Sequence, residues 1–147
     1  MIGWNTGVIV LTTVQNQGRK AMSEKSVAQK LLIREDYTVL LVNAPKGYNE
    51  TLGKLPKGAK VITKSSKPVD FIQIFAATKA EMTELFRKVK PVLKEQGLLW
   101  ATYPKAGQMD TDLKREVVWE CGQTVGMRPV SQIAVDHVWS ALRFKSE

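Results

Sequence analysis

The sequence predicts an α/β protein: a three-layer, mostly parallel, doubly wound sheet that ends in an antiparallel hairpin. Three observations predict it. Residues 37–42, 69–77 and 98–103 are short apolar runs rich in β-branched and aromatic side chains, the pattern of strands buried on both faces. Amphipathic stretches with helix-capping residues precede or follow these runs. Residues 131–135 and 138–144 are two further strand patterns joined only by Asp136-His137, a connection short enough to require antiparallel pairing.

Each element has a local reason. Ser23 or Ser26 can cap a short helix with Val27, Ala28, Leu31 and Leu32 as its apolar positions. The strand at 37–42 runs into the turn Asn43-Ala44-Pro45-Lys46-Gly47. A polar loop follows, then the turn Pro56-Lys57-Gly58 and a short strand at 60–63 near a sheet edge. After the strand at 69–77, Thr78 and Glu81 form a capping box. The helix behind it carries Met82, Leu85, Phe86, Val89 and Leu93 on one face; Pro91 should kink or shorten it and Gly97 end it. Beyond the strand at 98–103, Asp110 can cap a third helix with Leu113, Val117, Val118, Cys121 and Val125 inward and Gly122 and Gly126 near its end. In the last strand Val138, Ser140, Leu142 and Phe144 share one face, and Trp139, Ala141 and Arg143 the other.

Composition bounds the rest. The 147 residues, 44% hydrophobic and 24% charged, suit one globular domain, assigned to residues 23–147, with residues 1–22 as an extension that is either flexible or an added strand. The one cysteine, Cys121, allows no intrachain disulfide, so a cytoplasmic, soluble protein is expected. One Cys and one His, His137, cannot build a four-ligand zinc site, and no metal or cofactor is assigned. No apolar run approaches membrane-spanning length. The net charge is +8, and residues 59–103 hold eight basic side chains against four acidic ones. No aromatics interleave with these cations, so a lysine-rich solubilising surface is preferred to a nucleic-acid site.

In a doubly wound sheet, ligands bind outside the carboxyl ends of the strands. That rule selects residues 43–48, 77–79, 103–112 and 136–137. Neither G-x-G-x-x-G nor G-x-x-x-x-G-K-[ST] occurs, and the turn after the first strand has a single glycine. Lys46 and Lys105, in two Pro-Lys turns, could together hold an anion, although Pro, Lys and Gly are also ordinary turn residues. Asp110, Thr111 and Asp112 read as caps at a helix start rather than as an anion site. Positions 137 and 140 point to opposite faces of a strand, so Asp136, His137 and Ser140 make no triad. Trp139 and Arg143 either form a pocket wall or pack simply as a covered Trp with Arg laid over it. Cys121 lies on an apolar stripe as a core thiol. The ligand-binding set is therefore Asn43, Lys46, Lys105, Trp139 and Arg143. Lys105, Asp112 and Asp136 are the candidates for catalytic roles.

Three stretches carry a resemblance. They are Leu41-Val42-Asn43-Ala44-Pro45-Lys46-Gly47-Tyr48, Leu99-Trp100-Ala101-Thr102-Tyr103-Pro104-Lys105 with Thr111-Asp112-Leu113, and Ala134-Val135-Asp136-His137-Val138-Trp139-Ser140-Ala141-Leu142-Arg143. Together they resemble a bacterial family of small Rossmann-like proteins catalogued only as a domain of unknown function. Where that family carries Gly after Trp-Ser, this chain has Ala141. The segment before the third long strand and the terminal hairpin also look like class I methyltransferases, whose methyl-donor loop is unmatched here. The reading that follows is a non-catalytic module binding a small anionic ligand, a protein partner or a second copy of itself. A divergent transferase-type enzyme without the usual nucleotide loop ranks next, and nucleic-acid binding through residues 59–103 third. No membrane partner is expected.

Overall fold

The computed structural model describes residues 25–146. The extension at 1–22, and Ser23 as a cap, lie outside the described residues. Six strands form one sheet: β1 (Thr38–Val42), β2 (Lys60–Ile62), β3 (Val69–Phe75), β4 (Leu93–Pro104), β5 (Met127–Ala134) and β6 (Trp139–Ser146). Their spatial order is β2-β1-β3-β4-β6-β5. The first four run parallel, with Leu40 opposite Ile72 and Ile72 opposite Leu99. β6 enters antiparallel between β4 and β5, placing Trp139 opposite Pro104 and Leu142 opposite Ala101. The expected three-layer α/β arrangement with a terminal antiparallel hairpin is therefore present.

Side-chain alternation sends the two halves of each strand's apolar run to opposite layers. Leu40, Ile72, Ile74, Leu99, Ala101 and Leu142 pack against α3 (Lys79–Val89) and α4 (Arg115–Gln123) through Met82, Phe86, Val118 and Cys121. Val39, Leu41, Phe71, Phe75 and Trp100 face the other way, beneath α1 (Val27–Lys30) and α2 (Tyr48–Leu52), where they meet Ala28, Leu31 and Leu52. Ser26 caps α1 in a reciprocal box with Gln29. Trp100 fixes this layer by donating its indole N–H to the Leu31 carbonyl at 2.9 Å.

Four local expectations need correction. The stretch after β1 is not simply a polar loop: α2 occupies residues 48–52, entered through Gly47 at φ 82°. The helix opened by Thr78 stops at Val89, and after a 3-10 turn over Lys90–Val92 the chain is already strand at Leu93. Pro91 lacks an N–H and its ring obstructs the preceding turn, so the helix cannot pass it. Gly97 consequently ends no helix; it lies inside β4 beside an irregularity in the β3–β4 ladder. A Cβ at Gly97 would stand 3.1 Å from the Asp70 carbonyl oxygen and 2.7 Å from Leu93 Cδ1, which explains glycine there. Finally, Asp110 caps nothing: its φ is 47°, and α4 starts at Arg115 behind Lys114. Among the described residues, no helix is long and apolar enough to cross a membrane.

Candidate functional site at the carboxyl edge

The parallel strands β1, β3 and β4 bring three turns to one rim of the sheet. The first leaves β1 at Asn43, itself at φ 64°, and passes Lys46 to Gly47. Asn43 does not point freely outward. Its Nδ2 donates to the Phe75 carbonyl at 2.8 Å and to Glu81 Oε2 at 3.2 Å, tying the end of β1 to the end of β3 and to α3.

The N-terminus of α3, a natural anion site by its dipole, is filled by the protein itself. Thr78 Oγ1 accepts from the Glu81 N–H at 3.2 Å, Glu81 Oε1 from the Ala77 N–H at 3.1 Å, and Asp112 Oδ1 from the Lys79 N–H at 2.9 Å. Thr111 donates to the Ala77 carbonyl at 2.6 Å and holds Asp112 in place. Asp112 thus caps the helix before β4 and not the one after it.

Beneath the rim runs a buried polar chain. Tyr48, 3% exposed, turns back from α2 and donates to Gln73 Oε1 at 3.0 Å; Gln73 Nε2 donates to Thr102 Oγ1 at 2.8 Å. Every member has its partner, which is what permits polar groups in this layer. Burial, with a smaller push from the Asp136 carboxylate, raises the Tyr48 phenol far above its ordinary range despite the opposing Gln73 hydrogen bond. The phenol is therefore a neutral donor. Its ring meets Phe75 edge-on at 4.7 Å, and Phe75 meets Trp139 at 5.3 Å.

Lys105 and Asp136 share the far side of the rim. The Lys105 N–H donates to the Val138 carbonyl at 2.7 Å, and Asp136 Oδ1 accepts from the N–H groups of Val138 and Trp139, both at 2.9 Å. His137 sits in the turn. Lys46 and Lys105 lie on the same rim, in the turns that follow β1 and β4, two strands whose ends are separated by β3 and so by about 10 Å. Arg143 shares the Trp139 face but pairs with Trp100, about 13 Å toward the amino edge. There its Nε donates to Ser131 Oγ at 3.1 Å, and it lines a separate hollow with Glu95, Gln96 and Lys145. The structure therefore brings Asn43, Lys46, Lys105, Asp136 and Trp139 to one edge and leaves Arg143 elsewhere.

Between the carboxyl ends of β1 and β2 lies a cleft of about 650 Å³. Val42, Val61 and Ile62 supply apolar wall, and Asn43, Glu50 and Thr63 supply polar groups at its mouth. Sequence reasoning missed Glu50, Gln73 and Thr102, and reached Tyr48 only as the last residue of the segment 43–48. Gln73 and Thr102 did carry a signal: each is a polar residue within an apolar run, 71–76 and 98–103. Cys121 is a buried free thiol whose Sγ accepts from Thr83 at 3.2 Å; burial raises its pKa and outweighs that bond. Among the described residues, no cluster of three or more His, Cys, Asp or Glu side chains is arranged to hold a metal.

No protein-family model matches this sequence, and no curated protein sequence does. Solved structures do match. A SAM-dependent methyltransferase from Aquifex aeolicus superposes with a TM-score of 0.52 at 17% identity, covering 80% of this chain and 88% of that one. A ribosomal protein L11 methylase from Lactobacillus delbrueckii subsp. bulgaricus gives 0.56 at 9% identity, over 82% and 75%. A TehB-like SAM-dependent methyltransferase from Corynebacterium glutamicum gives 0.52 at 11% identity, over 83% and 88%. At these identities the likeness establishes the fold: this chain has the sheet of the SAM-dependent methyltransferases. It also corrects the lean away from catalysis. That lean rested on the missing nucleotide fingerprints, yet the structures sharing this sheet are named as enzymes.

Proposed function

We propose, taking the methyltransferase fold as premise, that this chain is a divergent transferase-type enzyme working at the carboxyl edge of its sheet. The observation that carries the reading is the cleft at the carboxyl ends of β1 and β2, on the ligand-binding edge of an open α/β sheet and one strand away from the β1/β3 switch point. Its volume is within the range of cofactor and substrate pockets.

The residues of the cleft do not fit an adenosyl donor. Such nucleoside sites rely on a glycine-rich turn for close backbone approach and an acidic residue beyond the second strand for the ribose hydroxyls. Here the turn has one glycine, and a Cβ added to it would meet only Glu50 Oε1 at an ordinary 3.6 Å. β2 runs into Thr63-Lys64, with no acid between Thr63 and Pro68. No step is therefore derived through S-adenosylmethionine.

The cleft mouth offers Glu50, Thr63 and the Oδ1 of Asn43 to a hydroxyl-bearing donor. On the acceptor side we assign Lys105 to charge stabilisation and Asp136 to proton removal. Asp136 binds its two backbone donors through Oδ1 alone, which leaves Oδ2 for an acceptor. Trp139 supplies an apolar wall beside it, and Lys46 a second cation on the rim. Asp112 serves as a helix cap. A reducing cytoplasmic setting suits the single buried thiol.

Titration of the isotopically labelled protein with S-adenosylmethionine, acetyl-coenzyme A, ATP and a nucleotide sugar tests this. One donor other than S-adenosylmethionine should perturb the amides of Asn43, Gly47, Glu50 and Thr63, and Glu50→Gln should weaken it at least tenfold. Selective binding of S-adenosylmethionine would overturn the mismatch. No perturbation by any donor would remove the transferase reading.

A further inference from the structure

Arg143 belongs to the ligand-binding set that the sequence predicts, yet it stands away from the rim. β4 and β6 pair from Pro104 opposite Trp139 only as far as Leu99 opposite Phe144; beyond that point the two strands part. The opening between them is a hollow of about 330 Å³. Gln96, Gly97 and Leu98 line it from β4, and Arg143, Lys145 and Ser146 from β6, with Glu95 as its one acid. Here the main chains of residues 95–98 and 145–146 find no ladder partner across the opening, so their polar groups are free to meet a ligand.

Arg143 is half-buried opposite Trp100, and its Nε donates to Ser131 Oγ at 3.1 Å. That bond fixes the plane of the guanidinium. Among the described residues neither terminal nitrogen meets a protein acceptor, so the end-on fork that grips two oxygens at once stays open. Two more cations share this face. Lys145 lies two residues along β6, and Arg128 stands directly opposite it on β5. Like charges opposite each other across strands are destabilising. The ion pairs among the described residues, Lys79–Glu120, Arg87–Glu84 and Lys94–Asp70, relieve none of the three. A merely solubilising surface intersperses its charges. These three converge on a concavity, around a guanidinium already oriented by its own hydrogen bond, and that arrangement suits an oxyanion.

Two details select its kind. A nucleic-acid backbone brings bases, and Trp100, the aromatic side chain beneath Arg143, is 1% exposed and cannot stack on them. A terminal phosphate carries about two negative charges and three acceptor oxygens, which an Arg fork and a Lys engage together. Glu95 repels further phosphates but accepts from hydroxyls.

We propose that the hollow between the parting ends of β4 and β6 binds the phosphate monoester of a small hydroxylated molecule. Arg143 takes two phosphate oxygens end-on and Lys145 the third, while Glu95 and Gln96 accept from the hydroxyls. The site lies toward the amino edge of the sheet, apart from the cleft and the rim, and does not rest on the transferase reading.

The test titrates the full isotopically labelled chain with ribose 5-phosphate, glycerol 3-phosphate, ribose, inorganic phosphate and a single-stranded oligonucleotide at equal ionic strength. At least one of the two esters should shift the Arg143 Nε–H and the amides of Gln96, Gly97 and Lys145, and bind at least tenfold more tightly than ribose or inorganic phosphate. Arg143→Lys should weaken it tenfold or more. Lys145→Gln, at an exposed position, should weaken it severalfold with an unaltered urea midpoint. Lys57→Gln, an exposed lysine elsewhere, should leave it unchanged. Shifts spread evenly over the surface lysines, undiminished binding to the Arg143 and Lys145 variants, or tighter binding of inorganic phosphate or the oligonucleotide than of either ester would overturn the proposal. So would ester binding that emerges only once Glu147 is deleted, which would make that residue the occupant.

Discussion

At the residue scale, Gln73 is the side chain on which most depends. It accepts from Tyr48 and donates to Thr102, so it joins α2 to two central strands through groups with no access to water. Gln73→Leu would keep the volume and strand both neighbours. An unsatisfied buried polar group costs about 1–3 kcal/mol, and urea denaturation should show a loss of that order. Tyr48 adds a pH dependence. Its folded pKa lies above its unfolded value of about 10, so its contribution is complete below that value and is lost as pH rises beyond it. The urea midpoint should fall above about pH 10, and Tyr48→Phe should fall less steeply. The Tyr103 phenol, raised by burial and partly countered by Arg115, leaves a residual slope.

At the element scale, helices here are placed by close contacts at their ends and flanks. Gly122 lets α4 lie directly on the Phe144 ring, because a Cβ there would collide with that ring. Gly122→Val should destabilise by about 1–3 kcal/mol, the usual cost of overpacking, read as a lower melting temperature. Thr78→Ala removes the α3 cap and should cost about 1 kcal/mol. Legibility divides along the same line. The cap at Thr78 and the alternation of β6 were readable because they depend on neighbours a few residues away. The shortening of α3 was signalled by Pro91, but the placement of Gly97 was not readable, since it depends on Asp70 approaching from a strand distant in sequence. Asp112 was misread for the same reason. Its residue type announced a cap, but the helix it caps begins 33 residues upstream.

At the scale of the whole molecule, the parallel sheet, its terminal antiparallel pair and the helix layers on both faces followed from apolar runs long enough to cross a core and from a short final connection, whereas the strand order was not visible in the sequence. The rim was only half visible. Lys46, Lys105, Asp136 and Trp139 come together there because β1, β3 and β4 are parallel, whereas antiparallel β6 carries Arg143 away from it. The cleft walls needed β2 beside β1, a pairing of three residues that no pattern could specify. Stability should be distributed accordingly. Native-state hydrogen exchange should show the slowest amides in β3, β4 and β6 and the fastest in the edge strands β2 and β5.

The insertion of β6 between β4 and β5 has a consequence for how the molecule is made. While the chain is being synthesised, β4 and β5 have already emerged with a strand-wide gap between them that neither can close. Until residues 139–146 leave the ribosome, β4 presents a raw, aliphatic flank of the kind chaperones grip. A nascent chain stalled just short of Trp139 should therefore be held by chaperone and cut readily by protease, and one released with residues 139–146 in place should be neither.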